Sequence, residues 1–520
     1  MATLNYWWVT RPKRKLNSIP EVLAAFSNVA IAAQWSGQRK VHIAFEEELE
    51  KDGLKRVGQR RDHSGSGGRT YQAWLSSLGL IFIQDNTGIP FLTLAGEAIL
   101  GGKSPVEVIK YQVLKYQFPS PFGLKTHVSD RFNVHPFTFL LHLLMDERIQ
   151  YLTEEEIAKV AMIYGYSDSK QCFENVVSGI LYFREFGDKI LPDDFIETHA
   201  PSSGRVNPDH PYSHLTDAAN TMVNWLEYTQ LIIREPGIIK IAPDKANEVT
   251  SILNSKIPLI PRPEDHEYFQ RRYGLDPWHQ KDTRNLIHSR AISSVAIDTQ
   301  RIKQAFISFS MHTPVARINK DIVSTIAETT GTEPALVEEV LYKTYPHGAI
   351  GGFLAGYYEM AFKGRDEATD FEIATTNIFS DVFGYNAIHL GQTGSKSAPD
   401  VLLISDSDGY QAIIDNKAYS QYSITGDHHN RMVHNYIKGV SNYSDSQYPI
   451  GFFTYIAGGY ISTINRQIQS EVAESNVHGS CITVSNFIQL IENHQERTNY
   501  SHHDLRQLFG IDRQIMLSDL

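Results

Sequence analysis

Two short apolar runs near the C-terminal end of the chain predict a β-hairpin. Residues 398–404 and 410–419 are rich in Val, Leu and Ile, and a short polar turn separates them. Asp400 stands at the mouth of the first predicted strand, and Asp415 and Lys417 lie two apart in the second. Because side chains alternate between the two faces of a strand, Asp415 and Lys417 are expected to share a face. The pattern therefore predicts that two carboxylates and an ammonium group converge.

Two segments of the N-terminal half each combine an amphipathic helix with two short apolar strands. The helix and the two strands are 70–79, 80–83 and 90–96 in the first segment, and 217–228, 231–234 and 238–242 in the second. Helix, strand, tight turn and strand form the pattern of a winged helix. Winged helices bind DNA but also mediate contacts between proteins, so the pattern alone leaves both roles open.

Length and composition indicate a globular protein of several domains. The chain has 520 residues, of which 42% are hydrophobic and 21% charged, too many residues for one compact core. We predict an α+β fold with four parts, at residues 1–150, 151–257, 258–340 and 341–520. The first two are winged-helix-like and the third is a helical connector that begins at a proline-rich segment.

Cysteine content and hydropathy favour a cytoplasmic protein. Cys172 and Cys481 are far apart and belong to no CxxC motif, so neither a disulfide framework nor a cysteine zinc site is expected. The N-terminus carries no apolar stretch, and no run of 18 apolar residues occurs.

Positive charge is concentrated at the start of the chain. The formal net charge is -11, yet residues 1–70 hold 12 Lys and Arg against 7 Asp and Glu. This asymmetry favours a basic contact surface for a polyanion in that segment. The candidate phosphate contacts are Arg11, Lys13, Arg14, Lys15, Arg39, Lys40, Arg60, Arg61 and Arg69. For any single one of them a solvated turn is the simpler interpretation, and the glycine run 65–68 is expected to be a flexible loop.

The predicted hairpin carries the groups that a metal-dependent phosphodiester hydrolase needs. Asp400 and Asp415 would hold one or two Mg²⁺ ions, and the backbone carbonyl of Asn416 is a further candidate ligand. Lys417 would orient or activate the attacking water beside the charged phosphate.

Three histidines on the next predicted helix, 425–436, raise the possibility of a zinc site. His428, His429 and His434 are its candidates. Adjacent helical residues point about 100° apart, which is poor chelating geometry, so a surface helix is the favoured interpretation.

The C-terminal motifs resemble the PD-(D/E)xK signature of the Fok-type cleavage domain of type IIS restriction endonucleases. Pro399-Asp400 and Asp415-Asn416-Lys417 form the signature, and Phe383-Gly-Tyr385, His389-Leu-Gly391 and Lys417-Ala-Tyr-Ser420 flank it as in that family. The resemblance covers about 360 to 490. It implies a central mixed sheet flanked by helices, and it places Glu372, on the predicted helix 371–383, where the family carries an additional acidic residue.

Looser motifs in the first 250 residues are similar to the recognition half of the Alw and nicking-enzyme group. They are Trp8-Val-Thr-Arg-Pro, the 44–49 helix, Leu92-Thr-Leu-Ala-Gly-Glu-Ala98, Lys115-Tyr-Gln-Phe-Pro119 and Asn133-Val-His-Pro136. The resemblance implies a Mg²⁺-dependent type IIS endonuclease that binds an asymmetric double-stranded DNA site and cuts at a fixed distance. A dimer or higher assembly on DNA, a cognate DNA methyltransferase and a prokaryotic cytoplasm are implied with it.

Two alternatives stay open at this point. The family helix that follows the DxK strand carries an Asp and an Arg that pair across a dimer, whereas this chain, with a stretch about two residues longer, offers Arg431 and Asn435. A strand-specific nicking enzyme, or the large subunit of a heterodimeric restriction enzyme, is therefore one alternative. A catalytically inactive DNA-binding protein is the other, and the intact Asp400, Asp415 and Lys417 count against it.

Overall fold

The structure is a computed structural model, and its described residues form two compact units. It describes residues 3–31, 33–58, 64–122, 127–201, 203–275, 282–284, 286, 294–391, 398–496 and 498–520. The first unit comprises Met1–Ser308 and Val323–Thr344, and the second comprises Phe309–Ile322 and Tyr345–Leu520. The four-part division expected from the sequence stays a prediction.

Helices dominate the chain before Tyr345. They are α1 (Ile19–Ala30), α2 (Arg39–Lys51), α3 (Ser66–Ser77), α4 (Leu94–Leu100), α5 (Pro105–Leu114), α6 (Pro136–Met145), α7 (Glu154–Glu156), α8 (Met162–Tyr164), α9 (Lys170–Phe186), α10 (Phe195–Thr198), α11 (Ser213–Tyr228), α12 (Ala246–Asn254), α13 (His266–Tyr273), α14 (Ser294–His312), α15 (Lys320–Thr330) and α16 (Pro334–Thr344). The π-helical turn Ile157–Ala161 joins α7 to α8.

Sequence periodicity explains why these segments are helical. In α9, Ser169 caps the N-terminus by accepting the N–H of Cys172, and the buried Phe173, Val177 and Ile180 recur at three- and four-residue spacing. Burying this apolar stripe stabilises the helix more than intrinsic propensity does.

Both predicted helix–strand–turn–strand units form in the first unit of the structure. Strand β1 (Ile81–Ile83) pairs antiparallel with β2 (Pro90–Leu92), and β3 (Ile232–Glu235) pairs antiparallel with β4 (Ile238–Ile241). Each hairpin follows its predicted helix, α3 or α11. The second predicted strand of the first segment is shorter than expected, because α4 begins at Leu94 where the Thr93 side chain caps it.

The glycine run 65–68 is not the flexible loop expected from the sequence. Gly65 has a positive φ of 76° and precedes α3, whose first turn contains Gly67 and Gly68. A Cβ atom on Gly68 would overlap with the backbone carbonyl of His42 in α2, and one on Gly67 would overlap with the carboxylate of Glu46. These glycines therefore allow the first turn of α3 to pack closely against α2.

In the second unit, six described strands form one mixed sheet in the order β10-β9-β8-β7-β6-β5. The strands are β5 (Asn386–His389), β6 (Val401–Ser405), β7 (Tyr410–Lys417), β8 (Ile450–Ala457), β9 (Gly479–Thr483) and β10 (Gln514–Ile515). Strand β6 runs antiparallel to both of its neighbours, β5 and β7, whereas β7 to β10 run parallel to one another. The α+β class and the mixed sheet implied by the resemblance are thereby confirmed.

Helices cover both faces of this sheet. They are α17 (Gly351–Met360), α18 (Ala368–Asp381), α19 (Gly426–Asn430), α20 (Ile464–Ser475), α21 (Val484–Glu496) and α22 (His502–Phe509), and α19 continues as the π-helical segment Arg431–Ile437. Alternate residues of β7 belong to different cores: Ile414 packs with α18 residues such as Phe371, whereas Ile413 packs with Met432 and with Ile468 of α20. Among the described residues, no helix is long and apolar enough to cross a membrane.

Candidate active site

The predicted hairpin forms, with its charged residues at one end. Strands β6 and β7 pair antiparallel, so that Val401 lies opposite Ile414. Asp400 immediately precedes β6, and Asp415 and Lys417 occupy the end of β7. Asp415 also lies opposite Tyr455 of the parallel neighbour β8.

The structure brings the three predicted groups together. The Nζ atom of Lys417 lies 2.6 Å from Oδ2 of Asp415, and Oδ2 of Asp400 accepts a 2.7 Å hydrogen bond from the backbone N–H of Asn416. Asp415 is 3% exposed. Two acidic groups and one cation therefore share a nearly dry site, where charges interact more strongly than in water.

The electrostatics of this site are unfavourable for two free carboxylates. Burial, followed by the negative charge of Asp415, raises the pKa of Asp400 well above its ordinary value. Burial acts to lower the pKa of Lys417, but the charges of Asp415 and Asp400 outweigh it and raise that pKa. The centre thus disfavours a second negative charge, because Lys417 compensates for the two carboxylates only in part.

A hard divalent cation fits these residues. The Oδ1 atom of Asp415 is buried without a hydrogen-bond partner, and it belongs to a carboxylate beside a second one, that of Asp400. No group of three or more His, Cys, Asp or Glu among the described residues is arranged to hold a metal. Mg²⁺ in proteins is usually bound by one or two carboxylates, and water and substrate phosphate oxygens complete its coordination. Asp400 and Asp415 would hold the ion, with the Asn416 carbonyl as a further candidate.

The side chain of Asn416 anchors the strand to α18. Its Nδ2 atom donates a 2.7 Å hydrogen bond to Oγ1 of Thr375, which in turn lies 2.8 Å from the hydroxyl of Tyr357. This buried network fixes the residue between Asp415 and Lys417, and hence the direction of both functional side chains. No sequence motif pointed to Thr375 or Tyr357.

Glu372 lies on α18 and pairs with His389, a residue of the motif that flanks the PD-(D/E)xK signature. Its Oε2 atom is 2.9 Å from Nε2 of His389, the last residue of β5. The negative charge of Glu372 contributes to the raised pKa values of both Asp400 and Lys417. Glu372 is therefore within electrostatic range of the acidic centre.

The histidines after β7 do not form a zinc cluster. Nδ1 of His428 lies 2.9 Å from the hydroxyl of Tyr422, whereas His429 and His434 both contact the carboxylate of Glu474 on α20, at 2.9 and 3.2 Å. The predicted helix forms, although His428 is half-buried rather than fully at the surface.

The predicted DNA-contacting cations have unequal surroundings. Arg11 lies over the ring of Trp8, at 4.4 Å from its centroid, and donates to the Oγ1 atom of Thr221 and the backbone carbonyl of Asp217. Arg14 pairs with the Asp217 carboxylate at 2.5 Å. Both arginines thus contact α11 of the second winged-helix-like segment.

The other candidates differ in exposure. Lys13 is half-buried, and burial lowers its pKa. Exposed side chains belong to Lys15, Arg39, Lys40 and Arg69. Arg69 donates to the backbone carbonyl of Ser64, and Arg60 and Arg61 lie outside the described residues.

Comparison with known proteins supports the resemblance drawn from the motifs. Residues 331–516 match the family model described as "FokI, cleavage domain", a longer segment than the 360–490 expected. The type II restriction enzyme StsI of Streptococcus sanguinis is 26% identical over 141 residues. That alignment covers 25% of this chain and 22% of StsI, so the chain matches about a fifth of the relative's length.

Two solved structures also resemble the chain. Restriction endonuclease FokI aligns over 99% of this chain and 100% of its own, with 14% identity and a TM-score of 0.29. The DNA-bound binding domain of the BpuJ1 endonuclease aligns over 52% of this chain and 97% of its own, with 15% identity and a TM-score of 0.37. The predicted resemblance of the C-terminal part to the Fok-type cleavage domain is confirmed by the family-model match, and the similarity of the N-terminal half to the Alw and nicking-enzyme group stays a prediction.

Proposed function

We propose that this protein is a type IIS site-specific endodeoxyribonuclease. It binds an asymmetric double-stranded DNA sequence through the part before Tyr345 and hydrolyses phosphodiester bonds at a fixed distance with the second unit, using Mg²⁺. The proposal is supported above all by one observation: Asp400, Asp415 and Lys417 lie close together at the end of β7. All three belong to the segment that matches the FokI cleavage domain.

Each residue of the centre has a distinct part in hydrolysis. Asp400 and Asp415 would hold the divalent ion, which when bound would make a water a stronger nucleophile and offset negative charge on the phosphate. Lys417 donates hydrogen bonds to the attacking water and to the phosphate as negative charge develops. The charges of Asp415 and Asp400 raise the pKa of Lys417 and so favour its ammonium form before an ion binds.

The overall reaction needs no cofactor beyond the ion. A water oxygen forms a new bond to phosphorus, one phosphorus–oxygen bond of the backbone breaks, and the leaving oxygen ends with a proton. The negative charge of Glu372 acts on Asp400 and would strengthen the attraction of this site for a cation.

Cleavage by full-length variants tests the proposal. Asp400→Ala and Lys417→Ala should abolish Mg²⁺-dependent cleavage, while specific DNA binding in Ca²⁺ is retained. The full chain is preferable to a truncation because the two units interleave along the sequence between residues 309 and 344. Wild-type rates of double-strand cleavage by either variant would refute the assignment of the site.

A supercoiled plasmid separates double-strand cleavage from nicking. The helix after β7 carries Arg431, whose guanidinium lies 2.5 Å from the carboxylate of Asp427 within the same helix. An arginine already paired in this way favours a second candidate, a strand-specific nicking enzyme or the large subunit of a heterodimer. Linear product supports the type IIS enzyme acting as a dimer or higher assembly, whereas open-circular product alone supports the nicking enzyme.

Sequencing the ends of the digested plasmid would identify the recognition site and the cleavage offset. A restriction enzyme of this kind also requires protection of host DNA, so we propose a cognate DNA methyltransferase as its partner in a prokaryotic cytoplasm. Methylated substrate should then resist cleavage.

A further inference from the structure

The proposed mechanism leaves unused a histidine beside the acidic centre. His389 is the last residue of β5 and lies opposite Val401, the residue that follows Asp400. The next residue after it, Leu390, donates its backbone N–H to the carbonyl of Asp400 at 2.8 Å. His389 is therefore attached through the backbone to the strand end that carries the first acidic residue.

The side chain of His389 forms a hydrogen bond with that of Glu372. Its Nε2 atom lies 2.9 Å from Oε2 of Glu372, and both side chains are only 15% exposed. A hydrogen bond to a charged group in such a partly buried position is stronger than one between neutral groups. The contact therefore restrains the Glu372 carboxylate.

Gly391 provides the space in which that carboxylate sits. A Cβ atom at this position would overlap with Oε2 of Glu372 and would lie 3.0 Å from Nε2 of His389. Gly391 does not have a positive φ, so its backbone conformation does not require glycine. The lack of a side chain at Gly391 therefore leaves room for the Glu372 carboxylate, and this effect is independent of the hydrogen bond from His389.

The position of Glu372 matters because its charge reaches the centre. Its partner His389 is followed by Leu390, whose backbone N–H donates to the carbonyl of Asp400, and the charge of Glu372 is one of the smaller causes that raise the pKa of Asp400. A carboxylate free to turn toward Lys417 would compete with Asp415 for the ammonium group. A fixed Glu372 carboxylate instead makes the electrostatic potential of the site more negative, and Lys417 keeps its contact with Asp415.

We infer that His389 is a positioning residue that, together with the space left at Gly391, fixes the Glu372 carboxylate beside the catalytic centre. It acts through Glu372 and has no role of its own in the reaction. The inference rests on the proposed nuclease function, since the quantity it controls is the charge distribution that retains the divalent cation and orients Lys417.

Two single variants disturb the same carboxylate by different routes. His389→Ala removes the hydrogen bond, and Gly391→Ala displaces the carboxylate by steric overlap. Each should lower the cleavage rate, or raise the Mg²⁺ concentration needed for half-maximal cleavage, by about 10- to 100-fold, as is typical when a partner of an active-site carboxylate is lost. His389→Gln, which can present an amide N–H near the Nε2 position, should retain most activity.

A matched control is another histidine–carboxylate pair in the same unit. His478 lies 2.9 Å from Asp512, and its side chain is 69% exposed. His478→Gln should leave the rate and the Mg²⁺ requirement unchanged. Circular dichroism and specific DNA binding in Ca²⁺ verify that each variant is folded.

Combination with Glu372→Ala decides whether His389 acts through Glu372. In that background neither His389→Ala nor Gly391→Ala should reduce cleavage further, because their common target is absent. Losses that multiply with that of Glu372→Ala would overturn the inference, as would a His389→Ala enzyme with wild-type cleavage and Mg²⁺ requirement.

A calorimetric titration with Ca²⁺ keeps this test separate from the proposed function. His389→Ala should bind Ca²⁺ about 10-fold or more weakly than the wild type, whether or not DNA is cleaved. If the wild type cleaves no DNA, the proposed function fails, while equal Ca²⁺ affinities of variant and wild type overturn the positioning role.

Discussion

Lys417 and Asp415 lie on the same face at the end of one strand, with Nζ and Oδ2 2.6 Å apart. The pair is almost enclosed by protein, and Asp400 is close enough for its own pKa to rise under the charge of Asp415. The ammonium group of Lys417 therefore stabilises the folded centre whenever no other cation is present. Because Lys417 and a bound divalent cation would both offset the charge of Asp415, binding of the cation should change the stability of the protein.

Lys417→Met should destabilise the protein in EDTA. Removing one partner of a buried ion pair leaves an uncompensated charge, which costs about 3 kcal/mol or more of unfolding free energy. Adding Ca²⁺ should raise the melting temperature of the variant more than that of the wild type, because the ion replaces the missing positive charge. Thermal unfolding with EDTA and with Ca²⁺ measures both effects.

Lys363→Met is the matched control for that experiment. Lys363 pairs with Glu367 at 2.6 Å, but both side chains are about one-third exposed, so the loss should stay below about 1 kcal/mol. Equal destabilisation by the two substitutions would contradict the special role of the Lys417–Asp415 pair.

Glu471 should make the stability of the protein fall as the pH rises. It is fully buried on α20, its Oε1 atom accepts a 2.9 Å hydrogen bond from the hydroxyl of Tyr455, and burial raises its pKa from 4.5 to about 8. The folded protein thus favours the protonated form, so stability decreases between pH 4.5 and about 8. Glu471→Gln should remove this loss, an effect on the order of a few kcal/mol above pH 8.

Chemical denaturation at pH 5 and pH 9 tests the Glu471 prediction. The variant should match the wild type at pH 5 and exceed it at pH 9. Asp370→Asn, at an exposed position of α18 in the same unit, serves as the control and should leave the pH dependence in this range unchanged. A wild type equally stable at both pH values would mean that Glu471 ionises without cost.

Gly68→Ala should destabilise the first unit. The new Cβ would overlap with the backbone carbonyl of His42, and backbone cannot rotate away as a side chain can. The expected cost is about 1 to 3 kcal/mol. Gly356→Ala, also within a helix but with nothing within 4 Å of the added atom, should instead stabilise by about 0.5 kcal/mol. Unfolding free energies of the two variants with opposite signs are the expected result.

Arg11→Ala should affect folding more than DNA binding. Its guanidinium contacts Asp217, Thr221 and the ring of Trp8, so the substitution should cost about 1 to 3 kcal/mol of stability. The dependence of DNA affinity on salt should be unchanged. Lys40→Ala, at an exposed position, should reduce the slope of log affinity against log salt by about 0.9 if Lys40 contacts one phosphate. A reduced slope for Arg11→Ala at unchanged stability would restore its predicted phosphate contact.

The sequence by itself determined the hairpin and which charged residues it brings together. Two apolar runs separated by a polar turn define β6 and β7 within a few residues, and the period-two geometry of a strand requires Asp415 and Lys417 to share a face. Local hydrogen bonding and period-two geometry operate over neighbours in the chain, so a single sequence contains them. The winged-helix-like hairpins were predictable for the same reason.

Only the tertiary structure decided which distant residues complete the site. Glu372 and His389 are 17 positions apart, and Tyr455 meets Glu471 across a strand and a helix. The glycines at 65–68 read as a flexible loop in the sequence, yet they permit close packing of α3 on α2. Such relationships depend on how helices cross a sheet or one another. That geometry is set by the sum of many packing contacts, and no local pattern encodes it.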